Sequence, residues 1–269
     1  MDLPTKLKKG SKARLFSSLK ISNKEQIATS TVLAVFKVIP QILPELIKDT
    51  GISINDKTQF ETYTEVSLNK IPENRKDRPD GLIYIKNRNE WTALVEAKVG
   101  NNLLDIDQVS RYVEDARANG INAVVTISNE FTPRVEQSPL DLPKRLLTKV
   151  NLYHLSWRLI LTTCMRIKQQ QLVSDREKIY LLDEFIRFLK DDSVGNKSFS
   201  MMPKSWPEIC SDSTMGAKLK VSDKRVVEVT NSLVEEFSEI ALNLTDHLGV
   251  DCNTKLPKSM LKDKSLWQK

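Results

Sequence analysis

Apolar and polar positions follow two rhythms along the chain, and they divide it into a mixed first part and a helical last part. In the first part, Ile27, Thr31, Val32, Val35 and Phe36 recur at helical spacing after Ser22 or Asn23, either of which can cap a helix. Glu25 then falls in the first turn, where the helix dipole favours an acid. Pro40 and Pro44 each lack a backbone donor, so a kink or a second short helix should follow, ending by Thr50-Gly51. Gln59–Leu68 alternates and is rich in Thr, Tyr, Phe and Val, which predicts a strand. Asn69–Arg78 reads as a turn, and strands are predicted over Asp80–Lys86 and Trp91–Val99 around the polar turn Asn87–Glu90. Leu103–Asn119 predicts a helix burying Ile106, Val109, Val113 and Ala116 and stopped by Gly120. Ile121–Ser128 is a continuous apolar run of the kind buried on both faces of a sheet. A short helix near Leu140–Thr148 and a last strand over Val150–Leu155 complete this part.

From Trp157 onward no strand is predicted. Helical periodicity covers 157–171, 174–191 and 222–248, with Ser193–Ser222, which contains Pro203 and Pro207, as the linker between the last two. In the final helix Val226, Val229, Leu233, Phe237, Ile240, Leu244 and Leu248 form one stripe, suited to internal packing or to a dimer seam. The element order therefore predicts a basic, irregular lead-in over 1–21, an α/β domain over 22–156 with a mixed sheet flanked by helices, and an α-helical region over 157–269. No internal repeat is evident.

Composition changes this picture little. At 269 residues, 40% hydrophobic and 28% charged, the chain can form a core without staples. Cys164, Cys210 and Cys252 are scattered and odd in number, which points to a reducing compartment. No segment has the apolar length of a membrane span or a signal-peptide core, so a cytoplasmic protein without membrane partners is expected. The net charge of +6 is compatible with a polyanionic partner. Its excess sits in residues 6–20 and 255–269, where lysine-rich tails are ordinarily just solvated.

The chemistry concentrates between Pro79 and Tyr112. In a strand over Trp91–Val99, Glu96 and Lys98 share a face about 7 Å apart. Their neighbours Leu94, Val95, Ala97 and Val99 suit a buried strand, in which two charges are costly unless they pair or bind something. Asp80 repeats the anomaly one strand earlier, and an antiparallel hairpin brings it to Glu96 and Lys98. Two carboxylates and a backbone carbonyl are ligands suited to Mg²⁺, and a lysine beside them can orient or help deprotonate water. A plain salt-bridge network at a strand end is the structural alternative.

Pro79-Asp80 followed by Glu96-Ala97-Lys98 resembles the PD-(D/E)xK signature of nucleases with a restriction-endonuclease-like fold. Gln108 and Tyr112, four apart on the following helix, are similar to the QxxxY element of the RecB-like branch. The resemblance covers about residues 22–155. It implies a metal-dependent deoxyribonuclease, of the kind that serves phage defence, restriction or repair. Asp80, Glu96 and the Ala97 carbonyl would hold Mg²⁺, for which Mn²⁺ can substitute. Lys98 would position the water, and Gln108 and Tyr112 would support the site or contact DNA. Glu25 matches an acid often found on the preceding helix; its other role is to complement the helix dipole. Glu61 and Glu65 have no place in the motif, and Glu65 is expected to face solvent.

Other chemistries lack their residues. His154 and His247 are isolated, and His154, in a strand, is expected to be a hydrogen-bonded structural histidine. No phosphate loop, GxGxxG or GxSxG is present, so no nucleotide cofactor is expected. Two further functions stay open: a catalytically inactive nucleic-acid-binding module, and an assembly protein working through its C-terminal helices, as a homodimer or with another protein.

Overall fold

The computed structural model describes residues 4–16, 23–47, 52, 54–55, 57–71, 78–130, 132, 135–191, 193–194, 202–220, 222–248 and 252. Ser22, Thr50, Gly51 and the basic stretch 255–269 lie outside them. The described chain divides into two compact units, one formed by 1–130 and 135–196, the other by 131–134 and 197–269.

The first unit is built on a six-stranded sheet whose spatial order is the chain order: β1 (Leu7–Lys12), β2 (Gln59–Leu68), β3 (Gly81–Lys86), β4 (Glu90–Ala97), β5 (Ala123–Ser128) and β6 (Asn151–Ser156). Strands β1 to β4 pair antiparallel, whereas β4, β5 and β6 run parallel, giving a mixed sheet. The parallel half requires crossovers, and one is the helix α3 (Ile106–Ala118). Both faces are covered. On one, Ile83, Val95, Val125 and Leu155 pack with Leu33 and Phe36 of α1 (Lys24–Val38), with α2 (Ile42–Leu46), and with Trp157, Ile160 and Leu182 of α4 (Trp157–Gln169) and α5 (Arg176–Lys190). On the other, Leu82, Leu94, Val124 and Leu152 pack against Val109, Tyr112, Val113 and Ala116 of α3. Every residue of β5 is buried, as a central parallel strand requires.

Several elements follow their local signals closely. Asn23 caps α1, its side chain accepting from the Glu25 N–H, and Gln59–Leu68 is a strand over its whole length. Other predictions need correction. The lead-in is not irregular: Leu7–Lys12 is the edge strand β1. Its lysines hide the alternation, Leu7 alone being buried, and backbone pairing with β2 supplies the order. Tyr112 belongs to the buried stripe of α3, whereas Ile106, at the first position of that helix, is 41% exposed. The unit boundary falls at 196/197 rather than at 156/157, because α4 and α5 bury Trp157, Ile160, Leu182 and Phe185 in the core beside the sheet.

In the second unit, the predicted linker contains the helix α6 (Trp206–Thr214). Pro207 occupies its first turn, where the missing N–H costs nothing. Ile209 packs with Val226 and Val229 of α7 (Lys224–Leu248), and Arg225 bridges Glu208, Asp212 and Asp223. Farther along α7 the stripe opens to solvent at Phe237, Ile240, Leu244 and Leu248. Among the described residues no helix is long and apolar enough to cross a membrane.

Candidate functional site

The hairpin of β3 and β4 pairs Gly81 with Val95 and Leu82 with Leu94. Continued by one residue, that register sets Asp80 directly opposite Glu96, on the face covered by α3. Asp80 Oδ2 accepts the Ala97 N–H at 2.9 Å, which ties the first carboxylate to the end of β4. Glu96 is 1% exposed, and its Oε1 accepts from Lys98 Nζ at 2.8 Å. Its Oε2 is buried without any hydrogen-bond partner. Without metal, Glu96 can keep a proton and share it with Asp80; once ionised, such a buried oxygen is expensive and needs a cation.

Lys98 is held from three sides. Its N–H donates to the Ile127 carbonyl at 2.8 Å, and the buried Trp157 indole donates to its carbonyl at 2.7 Å. Its Nζ reaches Glu96 and lies 3.6 Å from Glu25 Oε2. Glu25 is fixed in turn by Asn102, whose Nδ2 donates to Glu25 Oε1 at 2.8 Å. α1 can bring Glu25 this near because Gly81 has no side chain. A Cβ there would lie 2.4 Å from Leu33 Cδ1 and 2.9 Å from the Tyr63 carbonyl.

The electrostatics follow from burial and crowding. Burial pushes the Asp80 carboxyl up; the Ala97 N–H and Lys98 offset part of that. Burial, then the Asp80 charge, pushes Glu96 up, with Lys98 opposing. Burial acts to lower Lys98, but Glu96, Glu25 and Asp80 together hold it above the ordinary lysine value, so it is a cation. Two opposed carboxylates in a partly dry site, with one lysine between them and Glu25, are short of positive charge.

Gln108 and Tyr112 lie behind this cluster. Gln108 Nε2 donates to Tyr112 Oη at 2.9 Å, and Tyr112 Oη donates to the Arg78 carbonyl at 2.9 Å. Tyr112 is fully buried, so it braces the backbone two residues before Asp80 and is not placed to contact DNA. Glu25, expected either at the site or as a dipole partner, sits at the site's edge engaged with Lys98 and Asn102. Among the described residues no group of three or more His, Cys, Asp or Glu side chains is gathered to hold a metal. The carboxylate set is therefore the pair Asp80 and Glu96.

Sequence reasoning missed Asn102 and Trp157. Neither carries a local signal, since each acts on a residue far away in the chain. His154 is a buried structural residue: Nε2 faces the Glu130 carbonyl at 2.7 Å and Nδ1 faces Thr126 Oγ1 at 3.0 Å. Burial lowers its pKa. Glu65 is exposed, at a β2 irregularity with φ 53°. Comparison of the chain with protein-family models, with curated proteins and with solved structures gave no match.

Proposed function

We propose that this chain is a divalent-metal-dependent nuclease that hydrolyses phosphodiester bonds, in DNA, through a restriction-endonuclease-like core. The observation that carries the reading is the directly opposed Asp80–Glu96 pair with its buried, unpartnered Glu96 Oε2. A divalent cation is a partner such an oxygen can take, and it would offset the burial that raises both carboxyls and the Asp80 charge that raises Glu96 further. Asp80 and Glu96 would hold Mg²⁺ or Mn²⁺, with the Ala97 carbonyl, on the same strand edge as its N–H, as a further ligand. Bound there, the ion would polarise a phosphate oxygen and acidify a nearby water. Lys98, a cation in this setting, would orient the water and neutralise charge on the phosphate. Tyr112 and Gln108 would keep Asp80 in register through Arg78. The helix–strand–hairpin–helix–strand order and the +6 charge favour this reading as well.

The test is incubation of the full chain with plasmid and with single- and double-stranded oligonucleotides, with Mg²⁺ or with chelator. Metal-dependent cleavage that disappears in Lys98→Ala is expected. Failure of the native chain to cleave any nucleic acid overturns the proposal.

A further inference from the structure

A second feature lies at the other end of the same hairpin. Asp80 precedes β3 and Lys86 ends it, so the two ends are about 20 Å apart along the strand. There the turn between β3 and β4, with Ile52, Asn55 and Lys57, lines an open cavity of about 720 Å³; Asp56 lies outside the described residues. Its floor is apolar, made of Ile52, Ile85 and Trp91. Three cations, Lys57, Lys86 and Arg88, line it, and so do three carboxamides, Asn55, Asn87 and Asn89. None of the described lining residues is acidic. Glu90, which opens β4 just after that turn, is taken up by Lys6 at 2.7 Å and by the Tyr84 hydroxyl at 3.3 Å.

Lysines on a hairpin often do no more than keep a sheet edge soluble. These line, with an arginine, a recess whose apolar part includes an indole, and its loop is tied to the turn. Thr58 Oγ1 donates to Asn87 Oδ1, joining the loop to the turn, and Asn55 Oδ1 accepts the Lys57 N–H at 3.0 Å. The cations call for an anion such as phosphate, and arginine suits its paired oxygens. A bare phosphate would leave the apolar floor and most of the volume unused. An indole face is a stacking platform for a base, and carboxamides offer donors and acceptors to base edges.

We propose that this cavity binds a nucleotide unit, its phosphate on Lys57, Lys86 and Arg88 and its base against Trp91. The source is a free nucleotide or one nucleotide of a strand. The phosphate cradle is made of side chains, unlike the glycine-rich loops that the sequence lacks. The site is remote from Asp80 and Glu96, so its binding stands or falls independently of the reaction proposed above.

Calorimetry on the full chain, in chelator so that no cleavage intervenes, compares 2′-deoxyadenosine 5′-monophosphate with deoxyadenosine, inorganic phosphate and poly-glutamate. The monophosphate is expected to bind about ten-fold more tightly than either of its halves. Arg88→Ala and Lys57→Ala, both at exposed positions, should each weaken it several-fold while leaving the melting temperature unchanged. Trp91→Leu should remove the preference over inorganic phosphate. A 5′-phosphorylated oligothymidylate that binds more tightly, and loses affinity in the same variants, identifies a strand as the source; weaker binding than the monophosphate identifies a free nucleotide. Equal affinity for phosphate and monophosphate, equal competition by poly-glutamate, or unchanged affinity in both Arg88→Ala and Lys57→Ala would overturn the proposal.

Discussion

Glu61 of β2 and Glu96 of β4 are both strand glutamates, 4% and 1% exposed, and they are solved in opposite ways. Glu61 receives two lysines, Lys12 from β1 and Lys37 from α1, on one oxygen. Burial pushes its pKa up, but the two lysines outweigh burial and hold it below the ordinary value. Glu96 must share its one lysine with Glu25 and face Asp80, and its pKa is pushed up. The first carboxylate is over-neutralised and pins the edge strand to the rest of the unit. The second is under-neutralised, which a structural salt bridge has no reason to be.

Removing a lysine from each cluster should give the largest contrast. Lys98→Ala is expected to lower metal-dependent cleavage about a thousand-fold, the range of a lost water-orienting and charge-stabilising group. Lys12→Ala and Lys37→Ala should stay within a few-fold of the native rate. Comparable losses in all three would erase the distinction.

Stability should respond in reverse. Glu61→Gln is expected to cost about 2 kcal/mol in urea unfolding, less than a fully buried pair because both lysines are half-exposed. Glu96→Gln, measured without metal, should cost nothing or stabilise, since it removes the cost of burying an ionisable carboxyl beside Asp80. Tyr112→Phe belongs between these, at about 1–2 kcal/mol, because it strips the Arg78 carbonyl of its buried donor.

The smallest effect is in the pH dependence of the metal-free chain. Asp80 and Glu96 are both raised, so from the ordinary carboxylate range upward the folded chain holds more protons than the unfolded one. Their contribution is therefore complete in acid and is lost as pH rises through the raised values. The melting temperature should show that decline, and Glu96→Gln should flatten it. A Glu61→Gln variant should retain it.

The strands of the hairpin, the buried β5 and the cap at Asn23 were legible because each rests on local periodicity or turn chemistry. β1 was not, since LKKGSK is ordered by its partner strand rather than by its own pattern. The stripes of α4 and α5 announced burial but not the surface that buries them, which is why the unit boundary was misplaced. At the site, Asp80, Glu96 and Lys98 stood out because charges on apolar strands are anomalous from sequence alone. Asn102 and Trp157 are ordinary in their own surroundings, and only the fold brings them to Glu25 and to the Lys98 carbonyl. Tyr112 stands outside the stripe of Ile106, Val109, Val113 and Ala116 predicted from sequence, although its place three residues after Val109 and four before Ala116 fits the buried stripe equally well.

The most direct test is a crystal structure of the native chain soaked with Mn²⁺, read by its anomalous signal. One ion is expected between Asp80 and Glu96, with Glu96 Oε2 among its ligands and no ion at Glu61. No ion at this pair, or side chains that diverge when metal is present, would contradict it.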